Sequence, residues 1–182
     1  MRVNKLEKGD YIRLDGKILK VLDITHTHLG RGGANLELKL QNLNGGIIRK
    51  NFKPDDEVEY VELEKKKLIF LYSKKDKLYF GDEKKQIFEI NQEILQDKAK
   101  FLKKNLEVIG YFDEENLVSI ELPIKIEYEV KNAPPGVKGD TAQGGSKVVI
   151  CENGLEVVVP LFIKEGDKII VNTETGEYVS KI

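Results

Sequence analysis

Short apolar stretches separated by turn residues run along the whole chain, and this pattern limits the possible folds more than any other feature. The clearest stretch places Leu36, Leu38 and Leu40 on one side, with polar residues at the positions between them. A period of two fits a β-strand and does not fit a helix. We predict that 18–24 pairs with this strand as a hairpin. Turn-forming pairs such as Asp15-Gly16 separate the apolar stretches, and their spacing is typical of a small antiparallel barrel.

The pattern divides the chain into three segments. The first, 1–63, ends before a charged run at 64–67, which we interpret as a boundary. The second, 64–127, contains five predicted strands and one short helix, which has Asn91 as its cap and the basic pair Lys103-Lys104 at its end. A five-stranded barrel with one connecting helix is typical of an OB fold. The third, 128–182, starts around Glu129 with a predicted loop at 132–140 and continues with four more strands. We therefore predict an all-β protein of three small barrels in tandem.

Charge and composition exclude several classes of protein. The chain has 30 basic and 31 acidic residues, and the three segments carry net charges of +1, 0 and −2. A broad basic surface for binding DNA or RNA is therefore not expected. No apolar run approaches the roughly 18 residues of a membrane span, and the first residues lack the features of a secretory signal. We expect a cytoplasmic protein that contacts no membrane.

Cysteine and histidine content excludes a structural zinc site of four such ligands, because the chain has one Cys and 2 His. Cys151 lies in an apolar run and is interpreted as a buried structural thiol. Carboxylates are scattered over alternating strand positions, and no acid and base pair stands out. The sequence makes no positive case for an enzyme, a metal or a cofactor.

The most unusual stretch is 24–36, which contains no acidic residue. Gly30, Gly32 and Gly33 surround Arg31, and glycine permits positive φ and a close approach of the backbone to a partner. The guanidinium offers a planar set of donors that suits phosphate. Composition alone leaves two interpretations open, a phosphate-contacting hairpin tip and an ordinary glycine-rich turn with a solvated arginine.

Two further motifs are weaker. His26 and His28 share one face of the predicted strand, where they could bind a metal, face RNA or simply be exposed to water. The stretch Gly139 to Lys147 resembles a phosphate-binding loop, but Gly145 stands where that motif needs lysine and no helix follows. The run 30–32 likewise lacks the last glycine of a dinucleotide-binding motif.

Taken together, the chain resembles the bacterial elongation factor P family over all three segments. The glycine-rich turn is similar to the tip loop of that family, which usually reads Pro-Gly-Lys-Gly-Gly-Ala. Gly139-Asp140-Thr141 and Thr175-Gly176-Glu177-Tyr178 flank the most specific stretch in the expected places. The residues that match the spacing of the family signature lie in the third segment and are Lys147, Val149, Gly154, Val157, Val159, Pro160, Ile163 and Gly166.

The resemblance implies an SH3-like (KOW-like) first barrel, two OB barrels and an L-shaped mimic of tRNA. It also implies a monomeric factor that binds the 70S ribosome beside the peptidyl-tRNA, stimulates peptide-bond formation and relieves stalling at consecutive prolines. The tip loop would reach the acceptor end of that tRNA. The residues that the resemblance assigns to this RNA contact are His28, Gly30, Arg31, Gly32, Gly33 and Ala34.

The tip departs from the family pattern at two positions. Arg31 replaces a lysine that many members carry in modified form, and arginine has no ε-amine for β-lysylation. Another branch carries a rhamnosylated arginine, but within different flanking residues, and a paralogous factor has an unmodified arginine. Leu29 replaces the usual proline and removes its constraint on φ. We expect an unmodified Arg31 and keep a tip-modifying enzyme as the alternative.

Two other assignments compete with this one. The hypusine-bearing counterpart of archaea and eukaryotes normally ends after the second barrel, so a third barrel disfavours it. A general single-stranded RNA-binding OB protein would display stacking aromatics along a basic groove. Most Tyr and Phe residues here lie in apolar runs and no segment is basic, which disfavours that alternative.

Overall fold

The computed structural model describes residues 1–28, 30–43, 45–136 and 144–182, and it describes the backbone alone at Arg31. Three of the features singled out above, Leu29, the stretch 139–141 and the side chain of Arg31, therefore lie outside the described residues. Within the described ranges, no helix is long and apolar enough to cross a membrane.

The first sheet is formed by strands from the first 61 residues. Its strands are β1 (Tyr11–Leu14), β2 (Lys17–His28), β3 (Ala34–Asn42), β4 (Ile47–Phe52) and β5 (Glu59–Val61). They lie in the order β4-β3-β2-β1-β5. The strand β3 pairs with β2 in antiparallel register, with Ile24 opposite Leu38 and Val21 opposite Leu40. This confirms the predicted hairpin.

Alternation in β3 decides which residues form the first core. Leu36, Leu38 and Leu40 are buried, whereas the residues between them are half-exposed. They pack with Val3 of a short 3-10 helix (Val3–Lys5), and with Ile12 and other apolar residues of the first segment. The period of two in the sequence therefore reports correctly which face of the strand is inside.

The second sheet follows directly after the first. Its strands are β6 (Glu64–Lys74), β7 (Lys77–Gly81), β8 (Ile87–Asn91), β9 (Glu107–Asp113) and β10 (Asn116–Glu121), in the order β10-β9-β6-β7-β8. All five predicted strands are present. The charged run 64–67, which marks the predicted boundary, forms the beginning of β6. The Nζ atoms of Lys65 and Lys66 lie 5.3 and 4.8 Å from the ring centroids of Tyr111 and Phe112, so aromatic contacts accommodate these lysines within a strand.

The predicted helix is shorter and less regular than its periodicity indicated. One α-helical turn, α1 (Gln92–Leu95), is followed by a 3-10 helix over Gln96–Phe101. Gln96 has a φ of 48°, a left-handed conformation that ends the α-helical hydrogen bonding. Asn91 occupies the N-cap position, but its side chain makes no capping hydrogen bond. A continuous helix ending at Lys103-Lys104 is therefore wrong.

The third sheet contains one strand that the sequence analysis missed. Its strands are β11 (Lys125–Asn132), β12 (Ser146–Cys151), β13 (Glu156–Pro160), β14 (Lys168–Asn172) and β15 (Tyr178–Lys181), in the order β13-β12-β11-β14-β15. The missed strand is β11, which precedes the loop predicted at 132–140 and in which Glu129 pairs with Lys168 in the centre of this sheet. Ile126, Tyr128 and Val130 alternate along β11 and are buried.

The chain packs as two compact units, each with its own contacts. The first unit comprises Met1–Lys66, Glu89–Gln96 and Gly110–Ile120, and the second comprises Lys67–Phe88, Asp97–Ile109 and Glu121–Ile182. In the first, Arg13 Nη2 lies 2.7 Å from Asp113 Oδ2. In the second, Asn153 Nδ2 donates to the carbonyls of Lys100 and Leu102, at 3.0 Å each. The boundaries near 63 and 127 stay predictions, and the latter falls within β11.

Candidate nucleic-acid interface

The hairpin of β2 and β3 extends beyond the core of the first sheet. In β3 the buried side chain nearest to the turn is that of Leu36, whereas every residue of β2 from Thr25 to His28 is exposed. The pairing nevertheless continues to the end, with His28 opposite Ala34. Thr27 Oγ1 adds a 3.3 Å hydrogen bond to the carbonyl oxygen of Asn35. The end of the hairpin is therefore an ordered projection that its own core does not cover.

The connection between the two strands is a tight glycine turn. Gly30–Gly32 forms one 3-10 turn, and Gly30 and Gly33 have φ values of 38° and 86°. Only glycine adopts such angles readily. An added Cβ at Gly30, Gly32 or Gly33 would meet no atom within 4 Å. The glycines are thus not required by packing inside the chain, and the space around them is open to a partner.

The carboxylates that flank this turn are both paired within the first barrel. Lys8 Nζ lies 3.0 Å from Asp23 Oδ1, and Arg49 Nη1 lies 2.8 Å from Glu37 Oε1. The hydrogen bond from Lys8, with a backbone hydrogen bond from Ile24, holds the pKa of Asp23 below its usual value. No acidic residue lies between these two positions. The projecting end consequently repels a phosphate group little.

The two histidines project from the same strand. His26 and His28 are both exposed, on one face of β2. No group of three or more His, Cys, Asp or Glu side chains able to hold a metal ion is present in the part of the chain that the structure describes. The assignment of His28 to the RNA contact, like that of the glycines and Ala34, stays a prediction.

Cys151 is buried in the third core, as the sequence indicated. Burial raises the pKa of its thiol to about 11, and the neighbouring charge of Glu152 acts in the same direction. A thiol of that pKa is almost wholly protonated near neutral pH, and the thiolate is the nucleophilic form. Cys151 therefore serves packing rather than chemistry.

The family signature of the third segment describes a fold rather than a binding site. Val149, Val157, Val159 and Ile163 are buried, and Gly154 and Gly166 both have a φ of 86°. Lys147 Nζ donates to the carbonyl oxygen of Pro134 at 3.0 Å. The spacing thus encodes the core positions and turns of one barrel.

Sequence reasoning missed one exposed aromatic pair. Tyr72 and Tyr79 stack with ring centroids 4.7 Å apart, and Tyr72 is 47% exposed. The apolar run around Tyr72 suggested a buried ring. Only the register of β6 against β7 reveals that the two rings meet on the outer face.

Comparison with known proteins supports the resemblance at both ends of the chain. The family model for the elongation factor P KOW-like domain matches residues 2–58, and the model for the elongation factor P C-terminal domain matches 126–181. Elongation factor P of Dictyoglomus turgidum is 40% identical over 181 residues, with 98% of each chain covered. The protein of the same name from Limosilactobacillus reuteri is 38% identical over 178 residues, with 97% of this chain and 96% of the relative covered.

A solved structure extends the likeness to the fold. A translation initiation factor eIF-5A family protein from Naegleria fowleri superposes with a TM-score of 0.51 at 14% identity. The match covers 67% of this chain and 96% of that one. The all-β tandem barrel fold agrees with the three sheets. From the identity shared along almost its whole length with these relatives, the chain belongs to the bacterial elongation factor P family and is a translation elongation factor, not an enzyme.

Proposed function

We propose that this elongation factor binds the ribosome beside the peptidyl-tRNA and presents the turn at Gly30–Ala34 to the acceptor end of that tRNA. It would thereby stimulate peptide-bond formation and relieve stalling at consecutive prolines, the role of its family. The proposal takes the factor as a cytoplasmic monomer. The observation that carries the assignment of the site is the exposed glycine turn, which has open space where side chains would project from Gly30, Gly32 and Gly33 and no carboxylate of its own.

The backbone around Arg31 supports a close approach to RNA. Phosphate and sugar oxygens accept hydrogen bonds from backbone N–H groups as well as from arginine. A side chain at Gly32 or Gly33 would occupy space that a partner needs, whereas hydrogen at these positions leaves the backbone accessible. We therefore assign to Gly30, Gly32 and Gly33 the role of bringing the backbone to the acceptor end, and to Arg31 that of a phosphate contact.

Stimulation by such a contact requires no acid or base from the factor. Proline is a constrained substrate in peptide-bond formation, and holding the peptidyl-tRNA in a reactive pose reduces the entropic part of the barrier. Orientation of this kind is worth several kcal/mol in favourable cases. The chemistry would remain with the ribosome, and the factor would contribute geometry.

The charge balance of the chain fits a contact of limited extent. With a net charge of −1, affinity cannot come from a basic coat. Shape and a few local donors can position a protein on structured RNA without one. The proposal therefore places the essential cation at Arg31.

The test is the synthesis rate of a peptide that contains Pro-Pro-Pro in reconstituted bacterial translation, with and without the unmodified recombinant protein. We expect acceleration by the wild type, and a loss of about tenfold or more in Arg31→Ala, since one well-placed charged contact contributes more than about 1.4 kcal/mol. The matched control is Arg2→Ala, which removes an exposed arginine that lies 3.5 Å from Asp55. An unaltered rate in Arg31→Ala would refute the assignment.

A second comparison separates a bare from a modified arginine. If the recombinant wild type binds ribosomes but does not accelerate synthesis, a modification of Arg31 is required and a tip-modifying enzyme must exist. The intact mass of the protein from its native host then identifies the modification. Absence of ribosome binding would contradict the proposal as a whole.

A further inference from the structure

The outer face of the β6–β7 hairpin carries a compact surface of aromatic rings and cations. We call Tyr72, Tyr79, Lys74 and Lys75 the tyrosine–lysine surface. Tyr72 and Tyr79 are direct partners across the two strands, and their rings are nearly parallel, with an interplanar angle of 19° and centroids 4.7 Å apart. All four residues belong to the second compact unit.

A register irregularity creates this arrangement. Pairing shifts between Phe70 and Tyr72, so that Leu71 is the extra residue of a bulge. Phe70 and Phe80 pack edge to face, with centroids 5.5 Å apart, and are 8% and 0% exposed. The hairpin thus has an inner aromatic pair that serves the core and an outer pair that does not. Tyr72 remains 47% exposed.

The turn next to the rings is positively charged. Residues 72–79 contain three lysines and one aspartate. Lys75 takes a φ of 56°, and Lys74 and Lys75 are exposed. Within the ranges described, neither of these two lysines makes an ion pair. Their charge is therefore available to an anionic partner beside the exposed ring.

We propose that the tyrosine–lysine surface is a second RNA contact, on which an unpaired base stacks against Tyr72 while Lys74 and Lys75 contact the adjoining phosphates. Aromatic rings beside a basic strip are the means by which OB folds hold single-stranded RNA, because every base has a face that can stack. The inference rests on the proposed function, since it takes ribosome-associated RNA as the partner. It assigns RNA binding to a second surface, which shares no residue with the glycine turn.

The charges favour RNA over a protein partner. Phosphate supplies negative charge at the regular spacing of the nucleotide backbone, and lysine ammonium groups contact it in any sequence. Stacking on a ring and lysine contacts with phosphate do not read the edges of the bases, so the contact should tolerate different sequences. The alternative role of the pair is to stabilise the hairpin, as cross-strand aromatic pairs do. The experiment must therefore measure more than stability.

The experiment measures the affinity of the full chain for vacant 70S ribosomes at several salt concentrations, followed by crosslinking at 254 nm and mass spectrometry. Lys74→Gln/Lys75→Gln should weaken binding and lower the slope of log Kd against log salt by about one to two, one for each lost phosphate contact. Tyr72→Leu should weaken binding about five- to 100-fold, the range for loss of one stacked base. Nucleotide adducts should map to the peptide that contains Tyr72.

The control is Lys84→Gln/Lys85→Gln, which removes the same charge from another exposed turn. Lys85 has a φ of 61°, close to that of Lys75, so the two pairs of substitutions are matched in backbone strain. We expect the affinity and the salt slope of this control to remain within about twofold of the wild type. An effect of equal size in the control would overturn the proposal.

Other outcomes also decide the question. Adducts of Tyr72 with a ribosomal protein, or an unchanged salt slope in Lys74→Gln/Lys75→Gln, would overturn the RNA assignment. At saturating factor the Pro-Pro-Pro rate of Lys84→Gln/Lys85→Gln should equal that of the wild type, whereas Arg31→Ala should lower it. If the wild type does not bind ribosomes, the proposed function is refuted. The tyrosine–lysine surface is then tested separately, by the affinity of the wild type and the variants for fluorescein-labelled U12 RNA. No binding of that RNA, or equal binding by wild type and variants, would refute it.

Discussion

At the scale of single residues, Tyr128 shows how one buried polar group joins distant parts of the second unit. Its side chain is wholly buried, and its hydroxyl donates to the carbonyl oxygen of Phe101. Lys103 Nζ lies 5.4 Å from the centre of the ring. The donor and acceptor are 27 residues apart in the sequence, so no local pattern could have predicted the bond. It fixes the 3-10 segment before residue 101 against β11.

Replacement of Tyr128 by Phe tests the importance of this bond. The ring would remain, but the Phe101 carbonyl would lose its partner in a buried place, which costs about 1–2 kcal/mol. We expect the free energy of unfolding in urea to fall by that amount. Tyr72→Phe is the matched control, because that hydroxyl is on an exposed ring, and its effect should stay below about 0.5 kcal/mol. Equal effects of the two substitutions would contradict this interpretation.

At the scale of elements, the sequence predicted best where one face of a strand is buried and the other is not. The alternation of β3 was sufficient to identify that strand and its partner. The same alternation occurs in β11, but the segment boundary predicted at 127 divides this strand and hides its pattern. The helix prediction failed for a different reason, since Gln96 takes a φ of 48° that interrupts a stretch with helical apolar spacing, and residue type alone does not indicate such an angle at glutamine. Cross-strand register, which creates the Tyr72–Tyr79 pair, is likewise not visible in either strand alone.

The hairpin tip offers an element-scale prediction with an internal control. Gly33 has a φ of 86°, whereas Gly32 lies outside the left-handed region, and neither position is crowded. Gly33→Ala should therefore lower the free energy of unfolding by about 1–2 kcal/mol through backbone strain. Gly32→Ala should leave it unchanged to within about 0.5 kcal/mol, or raise it slightly by restricting the unfolded chain. Thermal unfolding of both variants provides the measurement.

The same two variants also report on the tip as an interface. If a partner approaches Gly32 closely, Gly32→Ala should lower the Pro-Pro-Pro synthesis rate without any loss of stability. A stable Gly32→Ala protein with the wild-type rate would show that the close approach occurs elsewhere on the turn. If the unfolding curve of Gly33→Ala coincides with that of the wild type, the result would contradict the geometry of the turn, because the φ of Gly33 predicts strain in the variant.

At the scale of the whole molecule, polar groups are satisfied throughout the described residues. No buried side-chain nitrogen or oxygen atom among them lacks a hydrogen-bond partner. The pairing follows the charge balance of the sequence, in which basic and acidic residues are nearly equal in number. Composition could predict this balance and the lack of a broad basic surface. It could not predict which carboxylates pair, since Asp23 pairs with Lys8 of a turn and Asp113 pairs with Arg13 of another strand.

Stability at alkaline pH provides a prediction for the molecule as a whole. Burial raises the pKa of the Cys151 thiol from 9.0 to about 11, and it also raises the pKa of Tyr128. Between these two thiol values the unfolded chain releases a proton that the folded chain retains, so rising pH favours unfolding. The contribution is present in full below about pH 9 and is lost towards pH 11, a decrease of about 2–3 kcal/mol.

The measurement is the free energy of unfolding in urea at half-unit steps from pH 8 to pH 11, for the wild type and for Cys151→Ala. The variant should be less stable at pH 8, because a small cavity replaces the sulfur atom. Its stability should nevertheless fall less steeply with pH, because the variant lacks the thiol and because Tyr128 loses the neighbouring charge of Cys151, which helps to raise its pKa. Parallel curves over the whole range would mean that Cys151 loses its proton as readily in the folded core as in the unfolded chain, contrary to its burial.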